Sequence, residues 1–563
     1  MKRTFPICLA PVVGAAAFFY TQATFGSDVK RYTVEKGIQY VQTDPGAPIA
    51  DSNNGAIFEA DVKGSDTNLV TGVSILLPNG AGDTLPVDSP GEFKLKKKYD
   101  KQTGLDRNFP SGNYQLTVNT LHDGTRNLAL SLVGDLYPNT PHLSNFAAAQ
   151  ALDSGAYFLF TWDGLTGGNS NDFVQLHIED NQGNKVFETP DIGETGALDG
   201  RGTAALVPPR TFAAGQTYQA YIYFAKAVTH DTTTYPGAFG FSGYYKRTKA
   251  SIQTAATASQ AQVKVYGLSK TRRFQQDGSG APVVQLTKTY NFEAFADTGT
   301  PGAVRSLSLV LPGGAVEPVP LTSDNKTFDE VQDFTSQSEF EGSYPNGTYG
   351  FRIVDPTGTK TPTLTLTGDA YPPAPHLSAL PTEVNAGRDL SLSWDPFTGG
   401  TSTDFIQLHI DDDQGNKVFE TPDYGKSGAL DGTAVSGTIP HDTLLAGHSY
   451  SGRLVFQKNS VLDTASYPGA LGLASYVSRT NFKLNAAAGG QGSLRLAVVP
   501  ATTPGSFSLT IGGTPSQKVR IEGSIDLKQW ADLGTNALSA TGDFRFSEPE
   551  SFTHRFYRAV TVP

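Results

Sequence analysis

Residues 162–200 read WDGLTGGNSNDFVQLHIEDNQGNKVFETPDIGETGALDG, and residues 394–432 read WDPFTGGTSTDFIQLHIDDDQGNKVFETPDYGKSGALDG. The two stretches align without gaps at an offset of 232, and 29 of their 39 positions are identical. Identity at that density means duplication, and a repeat of this size decides the fold before any single element does. The block itself parses as strand, turn, strand, hairpin, strand. In DFIQLHID, Ile406, Leu408 and Ile410 fall on one face of a strand, while Phe405, Gln407, His409 and Asp411 fall on the other. The Asp-rich run that follows ends in Gln-Gly-Asn, where Gly183 or Gly415 suits the positive φ of a hairpin turn.

Outward from the block the likeness continues. GDLYPNTPHLS (134–144) matches GDAYPPAPHLS (368–378), and FPSGNY (109–114) matches YPNGTY (344–349). The copies therefore run from about 31 to 250 and from about 263 to 486, joined by the small, polar linker SIQTAATASQAQ at 251–262. Each copy is expected to divide into two β domains of sandwich size, 27–135 with 136–250 and 263–369 with 370–486. The Pro-rich YPxxPHLS segment reads as the hinge between halves. One larger sandwich per copy is the alternative. A Gly-rich linker at 487–492 leads to a small β module, 493–563, whose SLRLAVV, SFSLTI, QKVRIEGS and HRFYRAVTVP read as short strands.

The ends and the composition set further bounds. Residues 1–26 have the layout of a secretory signal peptide, with Lys2 and Arg3 before an apolar run that Pro11 interrupts and that is too short to span a bilayer. Cys8, the only cysteine, lies inside it, so the exported chain has no thiol, disulfide or cysteine-ligated metal. The 60 Gly and 35 Pro punctuate many strands, which the 33 Phe, 23 Tyr and β-branched residues fill. A formal net charge of −11 gives no electrostatic footprint for nucleic acid or anionic membrane. The run Lys94-Leu95-Lys96-Lys97-Lys98 is read as a solvated strand or loop.

Few residues suggest chemistry. Trp162 and Trp394 sit in alternating runs and are expected to anchor cores, with an exposed sugar-stacking platform as the alternative. Gln175, His177 and Glu179, and their counterparts Gln407, His409 and Asp411, form a stripe that could bind a sugar or a cation; a half-solvated sheet face explains the same alternation. Asp180 and Asp412 are the calcium candidates, although the spacing of an EF-hand loop is absent, and no cofactor is expected. No nucleophile elbow, zinc-protease helix motif, phosphate loop or dinucleotide fingerprint occurs. The paired carboxylates of a glycosidase need closeness in space only, so a polysaccharide-degrading site in an N-terminal half stays open.

The pattern WDxxTGG, DF(V/I)QLHI, GNKVFETP, GALDG resembles bacterial immunoglobulin-like or fibronectin-type-III-like sandwich modules of exported proteins, over 136–250 and 370–486. The terminal VRIEGSIDLKQWADLGT with HRFYRAV resembles a small C-terminal β module of secreted proteins from environmental Gram-negative bacteria. These resemblances imply an all-β chain of tandem sandwiches and supply no catalytic residue. The expectation is a non-enzymatic extracellular or cell-surface protein, with the periplasm as the other location. It would bind extracellular polysaccharide or another surface component, or mediate adhesion, with repetition raising avidity. Self-assembly into a surface structure or fibre is the alternative. No nucleic-acid partner and no membrane-spanning segment are expected.

Overall fold

The computed structural model describes residues 27–487, apart from 54 and 388, and several stretches between 495 and 562. The signal-peptide reading of residues 1–26 lies outside the described residues. The fold is all-β in tandem sandwiches. Among the described residues the α-helices are two seven-residue turns, Gln102–Asn108 and Gln337–Ser343, at corresponding places in the two copies.

Each copy is organised around one wide sheet that runs through both halves. In the first copy its order is Lys185–Glu188, Phe173–Glu179, Thr217–Asp231, Phe239–Gln253, Val29–Gln42, Ala56–Gly64, Glu92–Tyr99, Val87–Ser89. Phe239–Gln253 pairs in parallel with Val29–Gln42, from Arg31 opposite Phe239 to Gln42 opposite Ala250. The last strand of the copy is thus zipped to its first, a long-range closure that no local pattern announces. The second copy repeats the arrangement, with Val265–Gln275 parallel to Leu471–Asn485.

Strand alternation gives the wide sheet one largely apolar face, which two small sheets cover side by side, while a smaller cluster of Ile57, Phe173, Ala225, Phe241 and Tyr245 lies apart from it. A four-stranded sheet, including Val70–Leu76 and Gly112–Thr120, closes a core containing Tyr32, Val34, Phe58, Leu116 and Tyr244. A two-stranded pair, Phe158–Thr161 with Ala204–Val207, helps close a second core around Trp162, Val174, Leu176, Ile178 and Ile222. Burying each large apolar side chain is worth about 1.5–3 kcal/mol, which is how a chain without disulfides holds this shape. Phe58 and Phe109 stack with centroids 3.9 Å apart, and Phe292 and Tyr344 repeat the contact at 3.8 Å. Lys36, fully buried in the first copy, reaches Asp106 of the short helix at 3.0 Å. Lys270 pairs with Glu341 in the same way.

The YPxxPHLS segment is bonded to both halves of its copy. The Gln42 side chain accepts from the Leu143 amide at 2.9 Å and donates to the Leu143 carbonyl at 3.2 Å, tying the first strand to the start of the second half. Gln276 holds Leu377 identically, at 2.9 Å for both bonds. His142 bridges Asp163 at 2.9 Å and the Pro45 carbonyl at 3.0 Å. Side-chain clamps thus reach this segment from both sides.

The two copies meet through corresponding loops. Gly196 lies against Gly428, and a Cβ built on it would fall 2.8 Å from the Gly428 carbonyl. Arg201 donates to the carbonyl of Thr433 at 2.8 Å. Nearby, Tyr157 and Leu206 pack with Leu471, Leu473 and Tyr424. Among the described residues, the C-terminal stretch holds two three-stranded sheets around Leu509, Ile511, Val519, Ile521 and Leu538. Glu522 there accepts from Arg520 at 2.8 Å and Arg558 at 2.7 Å.

Candidate functional site: a charged cleft on the first wide sheet

The face of the wide sheet turned away from the cores carries the alternate residues of five strands. In the first copy these are Arg31, Thr33 and Glu35; Glu59, Asp61 and Lys63; Glu92, Lys94 and Lys96; Gln175, His177 and Glu179; and Tyr221 and Tyr223. Arg247 joins them from a sixth strand, and the loop at Asp191 and Ile192 closes one side. Together they line a cleft of about 370 Å³. The structure therefore brings the expected stripe Gln175, His177 and Glu179 together with a larger set of groups from the N-terminal half.

Burial and pairing set the electrostatics. Arg31 bridges Asp61 at 3.1 Å and Asp191 at 2.8 Å, joining the sheet to the closing loop. Burial opposes the Asp191 charge, but Arg31, Gln175 and Lys63 hold its carboxyl down at about 2. At Asp61 the balance goes the other way: burial and the adjacent Glu92 carboxyl outweigh Arg31 and raise it. Glu35 is pushed up to about 7 by burial and by the charge of Glu59, against the hydrogen bond that Tyr223 donates to it. Glu59, equally enclosed, is drawn down to about 2 because Lys96, Lys94 and Arg247 overcome the cost of burial. It also accepts from Tyr245 at 2.7 Å.

His177 contacts Glu188 through Nδ1 and Glu179 through Nε2, both at 2.9 Å. Burial alone would lower its pKa, and the two carboxylates raise it instead. Gln175 donates to Asp191 at 2.9 Å. Phe173 meets Tyr223 edge-on at 5.9 Å, Tyr223 lies 4.6 Å from Tyr245, and the Arg247 guanidinium sits 5.0 Å over Tyr221. Lys94 lies in the field of Glu59, Asp61 and Glu92, which raise its pKa against the effect of burial. Chemically, the cleft offers interleaved donors and acceptors beside aromatic edges.

The strand registers identify the corresponding positions in the second copy. Arg31, Glu35, Asp61 and Lys96 become Val265, Ser269, Phe295 and Val331. Tyr223 and Tyr245 become Val455 and Val477. Gln407, His409 and Asp411 remain on this face, with His409 held between Asp411 at 2.5 Å and Glu420 at 2.9 Å. The stripe is common to both copies, as are Glu59 and Arg247, which become Glu293 and Arg479; the rest of the charged surroundings differ.

The other candidates resolve as follows. Trp162 and Trp394 are buried, and their indole N–H groups donate to the carbonyls of Gly202 at 2.8 Å and Ala434 at 2.9 Å, so neither is a stacking platform. Asp180 accepts from the amides of Gln182 and Asn184 and from the Asn184 side chain, at 2.8–2.9 Å. Asp412 does the same with Gln414 and Asn416, and both carboxylates brace a hairpin whose Gly183 or Gly415 has φ near +80°. Among the described residues no group of three or more His, Cys, Asp or Glu side chains could hold a metal ion. No described helix is long and apolar enough to cross a membrane.

The groups that sequence reading passed over are Arg31, Glu35, Glu59, Asp61, Lys94 and Lys96. Their signal was present in KRYTVEKG, FEADVKG and EFKLKKK, three runs where charge alternates with apolar residues. The lysine run, read as solvated, places Lys94 and Lys96 in the cleft.

No family model matches the chain, and no curated protein matches it. Among solved structures it is similar to a tetra-tandem repeat from the extending region of a large adhesion protein, with 13% identity over 80% of this chain and 99% of that one, at a TM-score of 0.13. It is also similar to the N-terminal four Ig domains of Dscam1 isoform 9.44, with 11% identity over 82% of this chain and 100% of the other, at a TM-score of 0.16. A third is a 1.5-MDa bacterial ice-binding adhesin, with 10% identity over 59% and 96% of the two chains, at a TM-score of 0.14. Likeness at this level assigns no function.

Proposed function

We propose that this is an extracellular, adhesion-type binding protein whose first-copy cleft takes a saccharide unit of an extracellular polymer. The observation that carries the reading is the contrast between copies. Burying Arg31, Glu35, Glu59 and Asp61 is costly, and burying ion pairs is often no better than packing apolar groups of similar volume. The second copy builds the same sheet with valine, serine and phenylalanine in place of Arg31, Glu35 and Asp61, keeping Glu59 as Glu293, so the fold does not need those three charges. A hydroxyl-rich ligand does, because each sugar hydroxyl both donates and accepts. The tyrosines add flat apolar edges beside polar groups. On this reading the first copy holds the ligand and the second extends and orients it.

The test is a glycan array probed with the exported chain, followed by calorimetry of any hit against Gln175→Ala and Tyr221→Ala. Binding weakened tenfold or more by each change supports the assignment. Silence across the array, or binding indifferent to both changes, retires it.

A further inference from the structure

On the second copy the same face has acquired a different chemistry. In the first copy Arg247 has two neutral neighbours: its guanidinium donates to the Gln39 side chain and lies over the Tyr221 ring. The strand registers place Arg273 where Gln39 stands and Arg453 where Tyr221 stands, with Arg479 in the place of Arg247. Both neutral partners of one arginine have become arginines. Arg273 is directly opposite Arg479 across a parallel strand pair, and Arg453 follows on the next strand. Like charges in such positions repel.

Carboxylates form ion pairs with two of the three arginines. Asp333 serves Arg273 at 2.7 Å and is shared with Lys288 at 2.9 Å. Asp411 serves Arg453 at 3.1 Å and is shared with His409. Glu293 lies near Arg273 and Arg479, whose charges act against the burial and the Asp329 charge that raise its pKa. Arg479 bonds through Nε to Asn481 at 3.0 Å, a neutral group. Burial and the two neighbouring guanidiniums lower its pKa to about 10. The Nε atoms of Arg273 and Arg453 are enclosed without a hydrogen-bond partner.

We propose that Arg273, Arg453 and Arg479 form an oxyanion site, taking the carboxylate of a uronate or the sulfate ester of an acidic polysaccharide. Guanidinium forks match such planar or tetrahedral oxyanions, and a bound anion would offset the repulsion that the cluster otherwise carries. The two copies then recognise different chemistry, so that duplication adds a second specificity to the first. The oxyanion site stands without the first-copy cleft; only the choice of a polysaccharide as its source rests on the reading above.

The experiment is calorimetric titration of the exported chain at low salt with a uronate oligosaccharide, a sulfated oligosaccharide, inorganic sulfate and a neutral oligosaccharide. At least one acidic oligosaccharide is expected to bind tenfold or more tighter than the neutral one and to weaken as salt rises. Preference for the uronate or the sulfated probe identifies the source; inorganic sulfate binding alone would keep the site and discard the polysaccharide. Arg479→Gln and Arg273→Gln, the latter a residue the first copy already accommodates, are expected to lose at least tenfold, while Gln182→Ala, on an exposed hairpin tip, leaves acidic binding unchanged. No binding of any oxyanion probe, or full binding by both arginine variants with wild-type circular dichroism, overturns the proposal.

Discussion

Glu35 and Glu59 face each other across neighbouring antiparallel strands, yet one carboxyl is held at about 7 and the other at about 2. The split arises because three cations gather on Glu59, while at Glu35 burial and its neighbour's charge outweigh the bond from Tyr223. Native Glu35 therefore keeps its proton at pH values where the unfolded chain has lost it. Its contribution is present below the ordinary glutamate range and is lost as pH rises towards 7, by about 3 kcal/mol in all. Glu35→Gln keeps an acceptor for Tyr223 and removes this dependence. Thermal melts from pH 5 to 8 should show the variant gaining on the wild type as pH rises; parallel curves would contradict the assignment.

Glu59 has the opposite sign. Its stabilising charge is present above the ordinary glutamate range and disappears as pH falls from about 4.5 towards 2. Glu59→Gln should be destabilised at neutral pH, where Lys94, Lys96 and Arg247 lose their shared counter-charge. The deficit should shrink in denaturant unfolding at pH 3, where the wild type is losing the same charge.

Arg31 joins Asp61 and Asp191, and all three are largely enclosed. Arg31→Val leaves two carboxylates short of a partner, at a cost of about 3–5 kcal/mol. The second copy has Val265 and Phe295 at the corresponding positions, so Arg31→Val with Asp61→Phe should recover much of the loss. Denaturation midpoints of the single and double variants measure the recovery, and additive losses would count against this account.

Gly196 and Gly428 occupy corresponding positions with the same φ of +80°, but they differ in surroundings. A Cβ on Gly196 would strike the Gly428 backbone at 2.8 Å, whereas one on Gly428 meets Pro422 at 3.5 Å. Both alanine variants incur backbone strain of about 1–2 kcal/mol. Only Gly196→Ala should also loosen the contact between copies, seen as faster proteolysis in the 251–262 linker.

Trp162 combines core burial with the bond to Gly202, so Trp162→Phe should cost about 1–3 kcal/mol through lost volume and an unmet carbonyl. A loss of that size, measured by urea unfolding, would match its role as an anchor. A neutral change would place its stabilisation elsewhere.

Much of this was legible in the chain. Ile406, Leu408 and Ile410 announced a buried strand face, and all three are fully enclosed. The Gln-Gly-Asn turns announced hairpins with a glycine at positive φ. Gln175, His177 and Glu179 were correctly placed on one face, but Glu35 and Asp61 were not linked to them. Those residues lie more than a hundred positions away and meet the stripe only through the parallel pairing of Arg31 with Phe239 and its successors. The clamps on YPxxPHLS were not legible, because Gln42 and Gln276 come from a hundred residues earlier.

The duplicated block, its period-two alternation and its turn residues are local, so the sequence by itself determined a tandem all-β chain and which face of each strand is apolar. Those patterns act between neighbours in the chain. Which polar residues gather into one cleft, which acid keeps its proton, and which arginines repel each other were decided only by tertiary structure. Strand pairing places distant residues side by side, and burial then strengthens their charges' effect on one another.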